Sequence, residues 1–247
     1  MKQRNQPRIR MFAGPNGSGK SRLKSILKPD LLGVYINPDD IEKNLEEFGF
    51  FDLKEFKIEA TEDEILRHFL NSSLLQKANL IDDAKKLTFK KQKLSFSNVK
   101  INSYFSSVIA DFIRQKLLQK LESFSFETVM SSPDKIEILK KANQLGYKTY
   151  LYFIATESPI INVSRVKYRV SQGGHNVPKD KIISRYHRSL DMLSEALKIS
   201  GRAYIFDNSG SKEFLLAETQ NGKIIEIKTE SVPSWFNEFV IKKLTKS

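Results

Sequence analysis

The chain has 247 residues, 40% hydrophobic and 28% charged, an ordinary globular composition and enough for one large domain or two small ones. It has no cysteine, which excludes disulfides and thiolate metal sites, and no apolar run near the ~20 residues that a membrane span needs. The formal net charge of +12 admits three readings: a nucleic-acid surface, steering of a polyanionic small substrate, or a solvated lysine-rich exterior.

Lysines such as Lys85, Lys86, Lys90, Lys91 and Lys93 are dispersed through helix-like segments. That dispersal favours the solvated exterior, then steering, and leaves nucleic acid last. No signal-peptide core follows the basic residues 1–8, so the expectation is a cytoplasmic protein with no membrane partner.

The first element is an apolar-rich strand over 9–13. It runs into Gly14-Pro15-Asn16-Gly17-Ser18-Gly19-Lys20-Ser21, a G-x-x-x-x-G-K-S phosphate-binding loop. Leu23, Ile26 and Leu27 then fall at helical spacing. The motif therefore sits between a strand and a helix, as its chemistry requires. Glycines let successive backbone N–H groups turn toward phosphate oxygens. Gly14, Asn16, Gly17, Ser18, Gly19, Lys20 and Ser21 are the expected nucleotide contacts. Lys20 reaches the β/γ-phosphates, and the Ser21 hydroxyl is the expected Mg²⁺ ligand.

A second buried strand covers 33–37, and Pro38 starts a helix with Asp39 and Asp40 in its first turn. The pattern changes over 49–102. Thr61 and Glu64 have capping-box spacing ahead of Ile65, Leu66, Phe69 and Leu70. The runs 87–89 and 94–96 read as a small hairpin. This stretch reads as a helical insertion packed near the acceptor side of one domain spanning 1–247.

Tyr104 to Leu121 carries a long amphipathic helix. Residues 124–129 make the third strand. Pro133 opens a helix that Gly146 closes. The run 150–154 is nearly all apolar, as in a parallel strand buried on both faces. Ser158-Pro159 starts a helix that breaks at Gly173-Gly174, and another helix covers 179–200. Residues 203–206 form a further strand ending in Asp207-Asn208-Ser209-Gly210. Residues 214–229 read as an antiparallel hairpin turning at Asn221-Gly222. A last helix follows Pro233. The alternation predicts an α/β protein with a mainly parallel five-stranded sheet flanked by helices, a helical insertion, and a C-terminal β-hairpin plus helix.

In such sheets ligands sit beyond the C-terminal strand ends. Asp39 is the candidate base for an acceptor hydroxyl, against the alternative that it only complements the helix dipole. Glu127 and Thr128 end the third strand, where they would contact substrate or the Mg²⁺ shell, or simply a neighbouring loop. Arg165 and Arg169 share one helical face, and Arg185 and Arg188 lie on the next helix. They flank Gly173-Gly174-His175-Asn176-Val177-Pro178, which makes 158–200 a helix-loop-helix lid whose arginines would hold phosphates. For any single one, a solvated surface arginine is the competing reading. His175 shapes the loop. Asp207-Asn208-Ser209 is either a nucleotide contact or a turn. Trp235 anchors the last helix.

The order of these motifs resembles the zeta-toxin family of P-loop kinases. The resemblance rests on Gly14 to Ser21, Asn37-Pro38-Asp39, Phe126-Glu127-Thr128, the Arg165 to Arg188 segment with its Gly-Gly-His-x-Val-Pro loop, and Asp207-Asn208-Ser209. It covers most of the chain outside 49–102. It implies a nucleoside-kinase-like sheet and transfer of the γ-phosphoryl group of ATP, with Mg²⁺, to a hydroxyl of a UDP-amino sugar such as UDP-N-acetylglucosamine. It maps the catalytic base to Asp39 and the phosphate grip to Arg165 and Arg169, with Arg185 as a further contact. It also implies a toxin with a small antitoxin partner. The chain departs from the family pattern at Arg22, at Val129-Met130 and through the 49–102 insertion.

Two other functions compete. One is a regulatory or mechanical P-loop ATPase, because Ser171-Gln172-Gly173-Gly174 resembles part of the ABC signature. The other is a nucleic-acid-linked kinase, which the net charge would serve.

Overall fold

The computed structural model describes residues 6–174 and 176–245. Residues 1–5 of the basic N-terminus, and His175, lie outside the described residues. In chain order the strands are β1 (Arg8–Ala13), β2 (Val34–Ile36), β3 (Phe50–Asp52), β4 (Thr88–Lys90), β5 (Lys93–Ser95), β6 (Phe124–Thr128), β7 (Lys148–Ala155), β8 (Arg202–Asp207), β9 (Phe214–Gln220) and β10 (Lys223–Ile227). The helices are α1 (Lys20–Leu23), α2 (Pro29–Leu32), α3 (Pro38–Phe48), α4 (Glu62–Leu70), α5 (Ser73–Lys77), α6 (Ile81–Ala84), α7 (Ser103–Lys120), α8 (Asp134–Gln144), α9 (Pro159–Ser171), α10 (Lys179–Asp191) and α11 (Leu193–Ile199). Short helical turns follow from Ser234 to Leu244. The chain divides into two compact units: residues up to Gly33 with those from Ser125 onward, and residues 34–124.

The first unit is built on a sheet in the order β10-β9-β8-β7-β1-β6. β1, β7 and β8 are parallel neighbours, with Ala13 opposite Phe153 and Ala155 opposite Asp207. Their apolar sequences match their place: Met11, Phe12, Phe153 and Ile205 are fully buried. The register brings three chain exits to one edge, namely Gly14 after β1, Thr156 after β7 and Asn208 after β8. β9 pairs antiparallel with β8, and β10 with β9, so the C-terminal hairpin extends the main sheet. Asn221 and Gly222 both take positive φ, 49° and 76°, the backbone of a tight type I′ turn.

Two helices differ from the sequence expectation. The helix after the phosphate loop is one short turn that passes into a 3₁₀ turn over Lys24–Ile26. Lys28 is then extended at φ −62° and ψ 138°, because the following Pro29 disfavours a helical residue before it. The segment 179–200 is two helices meeting at Met192. No glycine or proline marks the bend. It falls where packing changes, since α10 lies on α9 and α11 lies on α8.

The second unit holds the 49–102 stretch together with α3 and α7, which pack on each other. β3, β5 and β4 form a small antiparallel sheet, and β4–β5 is the expected hairpin. Its turn puts Lys91 and Gln92 at positive φ. The Gln92 carboxamide donates to the Ala60 carbonyl at 3.0 Å and accepts the Ala60 N–H at 2.9 Å, which ties the turn to the chain before α4. The Thr61–Glu64 capping box is present, with Glu64 N–H to Thr61 Oγ1 at 3.2 Å and Thr61 N–H to Glu64 Oε2 at 2.8 Å. Phe69, Phe96 and Phe105 interlock in the core of this unit.

Candidate functional site

The phosphate loop leaves β1 at the C-terminal edge of the sheet. Gly17 and Gly19 have φ of 77° and 100°, a region that side-chain-bearing residues rarely adopt. Space excludes a side chain as well. A Cβ on Gly17 would stand 2.6 Å from the Asn162 carbonyl oxygen, and one on Gly19 would run into the Asn208 carboxamide. Lys20 Nζ donates to the carbonyls of Gly14 at 2.9 Å and Pro15 at 3.1 Å, so its ammonium folds over the loop. Ser21 is exposed on the first turn of α1.

Two asparagines back the loop. Asn162, on α9 and fully buried, donates from Nδ2 to the Asn16 carbonyl at 2.6 Å. Its Oδ1 accepts the Thr156 hydroxyl at the end of β7. Asn208, 3% exposed after β8, donates from Nδ2 to the Ser18 carbonyl at 2.7 Å. Its own N–H donates to the Ala155 carbonyl at 2.8 Å.

Below Asn208 the chain is held by a buried carboxylate. Asp207 accepts the Trp235 indole N–H at 2.7 Å, the Ser209 N–H at 2.8 Å and the Ser209 hydroxyl at 2.9 Å. Trp235 thus anchors the C-terminal segment to the loop behind the phosphate site. The Asp-Asn-Ser segment is both a turn and a wall of that site.

Three buried side-chain atoms at this loop have no hydrogen-bond partner among the described residues: Asn16 Oδ1, Ser18 Oγ and Asn208 Oδ1. A buried polar atom left unmade costs about 1–3 kcal/mol. The Ser18 hydroxyl can donate, which suits a phosphate oxygen. The two carboxamide oxygens call for donors, such as a hydroxyl or a metal-bound water. With the positive-φ glycines and Lys20, these residues fit a nucleoside triphosphate with Mg²⁺. Among the described residues no group of three or more His, Cys, Asp or Glu is placed to hold a metal ion by itself.

The arginines differ from one another. Arg165 is half-buried, and its guanidinium donates to the Asn208 carbonyl at 2.7 Å and the Gly210 carbonyl at 3.0 Å. It therefore braces the wall behind the loop. Arg169 is exposed, with Gly174 closing against it and donating its N–H to the Arg169 carbonyl at 2.9 Å. Arg185 is half-buried and Arg188 exposed on α10. Val163, Val166 and Val170 of α9 pack with Val177 and Ile182, so the two arms and their loop share a small core. The Tyr186 hydroxyl fixes α10 to the end of β7 by donating to the Thr156 carbonyl at 2.5 Å. Burial, then the nearby Glu157, Asp207 and Glu238, push that phenol well above its ordinary pKa, so it stays a donor.

Glu127 and Thr128 are buried at the end of β6. The Thr128 hydroxyl accepts the N–H of Met130, which sits at φ 52°, and Ser189 of α10 donates to the Val129 carbonyl at 2.8 Å. Asp39 and Asp40 lie in the second unit, both exposed in the first turn of α3, with Asn37 capping the Asp39 N–H at 3.1 Å.

Charge is divided unequally. Acidic and basic residues nearly balance over 34–124, so the unit that carries the phosphate loop holds the net positive charge. Several lysines of the second unit, such as Lys85 and Lys86, pair with Asp82 and Asp83.

Asn162, Thr156 and Tyr186 were not singled out from the sequence. Asn162 had a usable signal: it lies with Val166 and Val170 at i, i+4, i+8, a polar residue on the buried stripe of α9.

Together, the sheet and its phosphate loop define an α/β protein of the P-loop class. A family model described as Zeta toxin matches residues 82–220, more than half of the chain, and the chain belongs to the zeta toxin family. The match takes in Glu127, the α9–α10 arms and Asp207 to Ser209, while the phosphate loop and Asp39 precede it. Among solved structures, the AvrRxo1-ORF1:-ORF2 complex with ATP is similar in fold at 15% identity and a TM-score of 0.56, over 97% of this chain and 64% of that one. The native complex gives 15% identity and 0.57, over 95% and 63%. A protein of Haemophilus influenzae described as uncharacterized is 33% identical over 63 residues, 26% of this chain and 45% of that protein. The chain thus spans less than two thirds of the length of these relatives.

Proposed function

We propose that this chain is an ATP-dependent kinase that moves the γ-phosphoryl group of ATP to a hydroxyl acceptor. The observation that carries the reading is the phosphate loop itself. Its glycines are held at positive φ, Lys20 folds over it, and the buried Ser18 hydroxyl stands unpartnered against it. Family membership supports the same reaction class.

In this reading the N–H groups of Asn16, Gly17, Gly19 and Lys20 and the Lys20 ammonium hold the phosphates, and Ser21 would ligate Mg²⁺. The metal, when bound, neutralises charge on the β- and γ-oxygens. Asp39 takes the proton of the acceptor hydroxyl. That oxygen attacks the γ-phosphorus, the bond to the β–γ bridging oxygen breaks, and ADP leaves. Glu127 and Thr128 orient the acceptor. Arg169 and Arg185 stabilise charge on the transferred group, while Arg165 acts by bracing the Asn208 wall. The positive charge of the phosphate-loop unit steers polyanionic substrates to it.

The acceptor put first is a UDP-amino sugar such as UDP-N-acetylglucosamine, on the family likeness. A toxin role and a small antitoxin partner follow from the same likeness, and a cytoplasmic location is the reading of the sequence. No helix among the described residues is long and apolar enough to cross a membrane. The partial ABC-signature resemblance gains little support, because Ser171 and Gln172 close α9 instead of opening a helix.

The test is mass spectrometry of UDP-sugars, nucleosides and NAD after incubation with ATP and Mg²⁺. The expected result is a product heavier by one phosphoryl group from a UDP-amino sugar. ATP hydrolysis with no phosphorylated product from any acceptor would overturn the kinase reading.

A further inference from the structure

We propose that Asn162 and Asn208 are positioning residues that aim two particular backbone N–H groups, those of Gly17 and Gly19, at the bound phosphates. The inference rests on the nucleotide reading above and extends it to residues outside the phosphate-loop motif.

The argument starts from the peptide plane. In a trans peptide the carbonyl of one residue and the N–H of the next point in opposite directions. Asn162 Nδ2 holds the Asn16 carbonyl at 2.6 Å, and Asn208 Nδ2 holds the Ser18 carbonyl at 2.7 Å. Both asparagines are buried, so both carbonyls are drawn toward the protein interior. The N–H groups of Gly17 and Gly19 must then face the other way, into the concavity of the loop. Alternate peptides are clamped, and Gly17 and Gly19, each directly after a clamped carbonyl, take the positive φ.

Each clamp is itself held. The Asn162 carboxamide oxygen accepts the Thr156 hydroxyl, which fixes the orientation of its amide. The backbone of Asn208 is pinned on both sides, by its N–H to the Ala155 carbonyl and by Arg165 on its own carbonyl at 2.7 Å. Gly17 and Gly19 are also the positions where a Cβ would strike these same two residues. A loop whose N–H groups are aimed in advance loses little entropy on binding phosphate. Amides that had to turn over on binding would weaken it.

The test uses ADP as the probe, with isothermal titration and amide NMR on the full chain. In the unmodified protein ADP binds, and the Gly17 and Gly19 amide protons move downfield as they bond to phosphate. Asn208→Ala removes the Gly19 shift and keeps that of Gly17. Asn162→Ala does the reverse. Each variant binds ADP about tenfold more weakly, equivalent to ~1.4 kcal/mol. A purely structural role would disturb both amides alike. Shifts that survive in both variants, or vanish together in either one, overturn the assignment. If a variant fails to fold, the unmodified protein still decides: ADP binding without downfield movement of these two amides overturns it. Absence of ADP binding in the unmodified protein would instead bring down the nucleotide reading beneath it.

Discussion

Removing the indole N–H at position 235 tests the buried wall behind the phosphate loop. Asp207 is 3% exposed and takes three donors, from the Trp235 indole, the Ser209 amide and the Ser209 hydroxyl, at 2.7 to 2.9 Å. Trp235→Phe keeps an aromatic ring beside Phe153 and Phe236 but deletes one donor to the carboxylate. A hydrogen bond to a charged group is worth about 1.5–3 kcal/mol, so the expected loss is about 2 kcal/mol. For a chain of this size that lowers Tm by roughly 4–8 °C. Circular dichroism is the assay, since the substitution removes the single tryptophan. A double-mutant cycle with Asp207→Asn isolates the pair, with a coupling of about 1.5–3 kcal/mol expected. Additive losses within about 0.5 kcal/mol would show that the indole and carboxylate do not act together. The same variant should weaken ATP binding, because Asn208 follows Asp207 directly.

Three further outcomes are expected. Burial between α4 and α7 holds His68 below its ordinary pKa of 6.5, and Arg114 adds to this while Asp111 and the Val108 backbone oppose it. The folded state therefore disfavours the charged ring, so stability present above pH 6.5 is lost as pH falls toward the lowered value. The urea midpoint should drop between pH 7.5 and 5.5, and a His68→Phe variant should show a smaller drop. Thr61→Ala breaks the capping box of α4 and should cost about 1 kcal/mol by urea denaturation, with no effect on ADP affinity. Tyr186→Phe leaves the buried Thr156 carbonyl without its phenol donor and should cost about 1–3 kcal/mol. Hydrogen exchange should then rise in α10 more than in β7.

The phosphate loop, the chain order of strands and helices, both hairpins and the capping box were legible because local chemistry dictates them. Gly17, Gly19 and Gly222 need positive φ, Thr61 and Glu64 cap a helix end, and the run 150–154 is apolar on both faces. The bend at Met192 and the shortness of the helix that starts at Lys20 were not legible in helical periodicity. The first is set by a change of packing partner. The second could have been read from Pro29, which forces Lys28 out of the helix. At the site, residue types announced themselves but their partners did not. Arg165 looked like a phosphate ligand by charge and spacing, yet its guanidinium holds the Asn208 and Gly210 carbonyls, 43 and 45 residues away in sequence. The helical stripe marks Asn162 as a buried polar residue, but its partner, the carbonyl of Asn16, is 146 residues distant. Spacing cannot reveal such contacts, since the sheet register creates them.

The central proposal is that Asp39 is the general base of a phosphoryl transfer and that the Gly14 to Ser21 loop holds the nucleotide. The most direct measurement is phosphoryl transfer from ATP and Mg²⁺ to UDP-N-acetylglucosamine by Asp39→Asn, with ATP binding measured on the same sample and Lys20→Ala as the nucleotide control. The account predicts that Lys20→Ala loses ATP binding. It predicts that Asp39→Asn binds ATP normally but transfers phosphate about 10²–10⁴-fold more slowly, the usual contribution of a general base. Full activity in Asp39→Asn would contradict it.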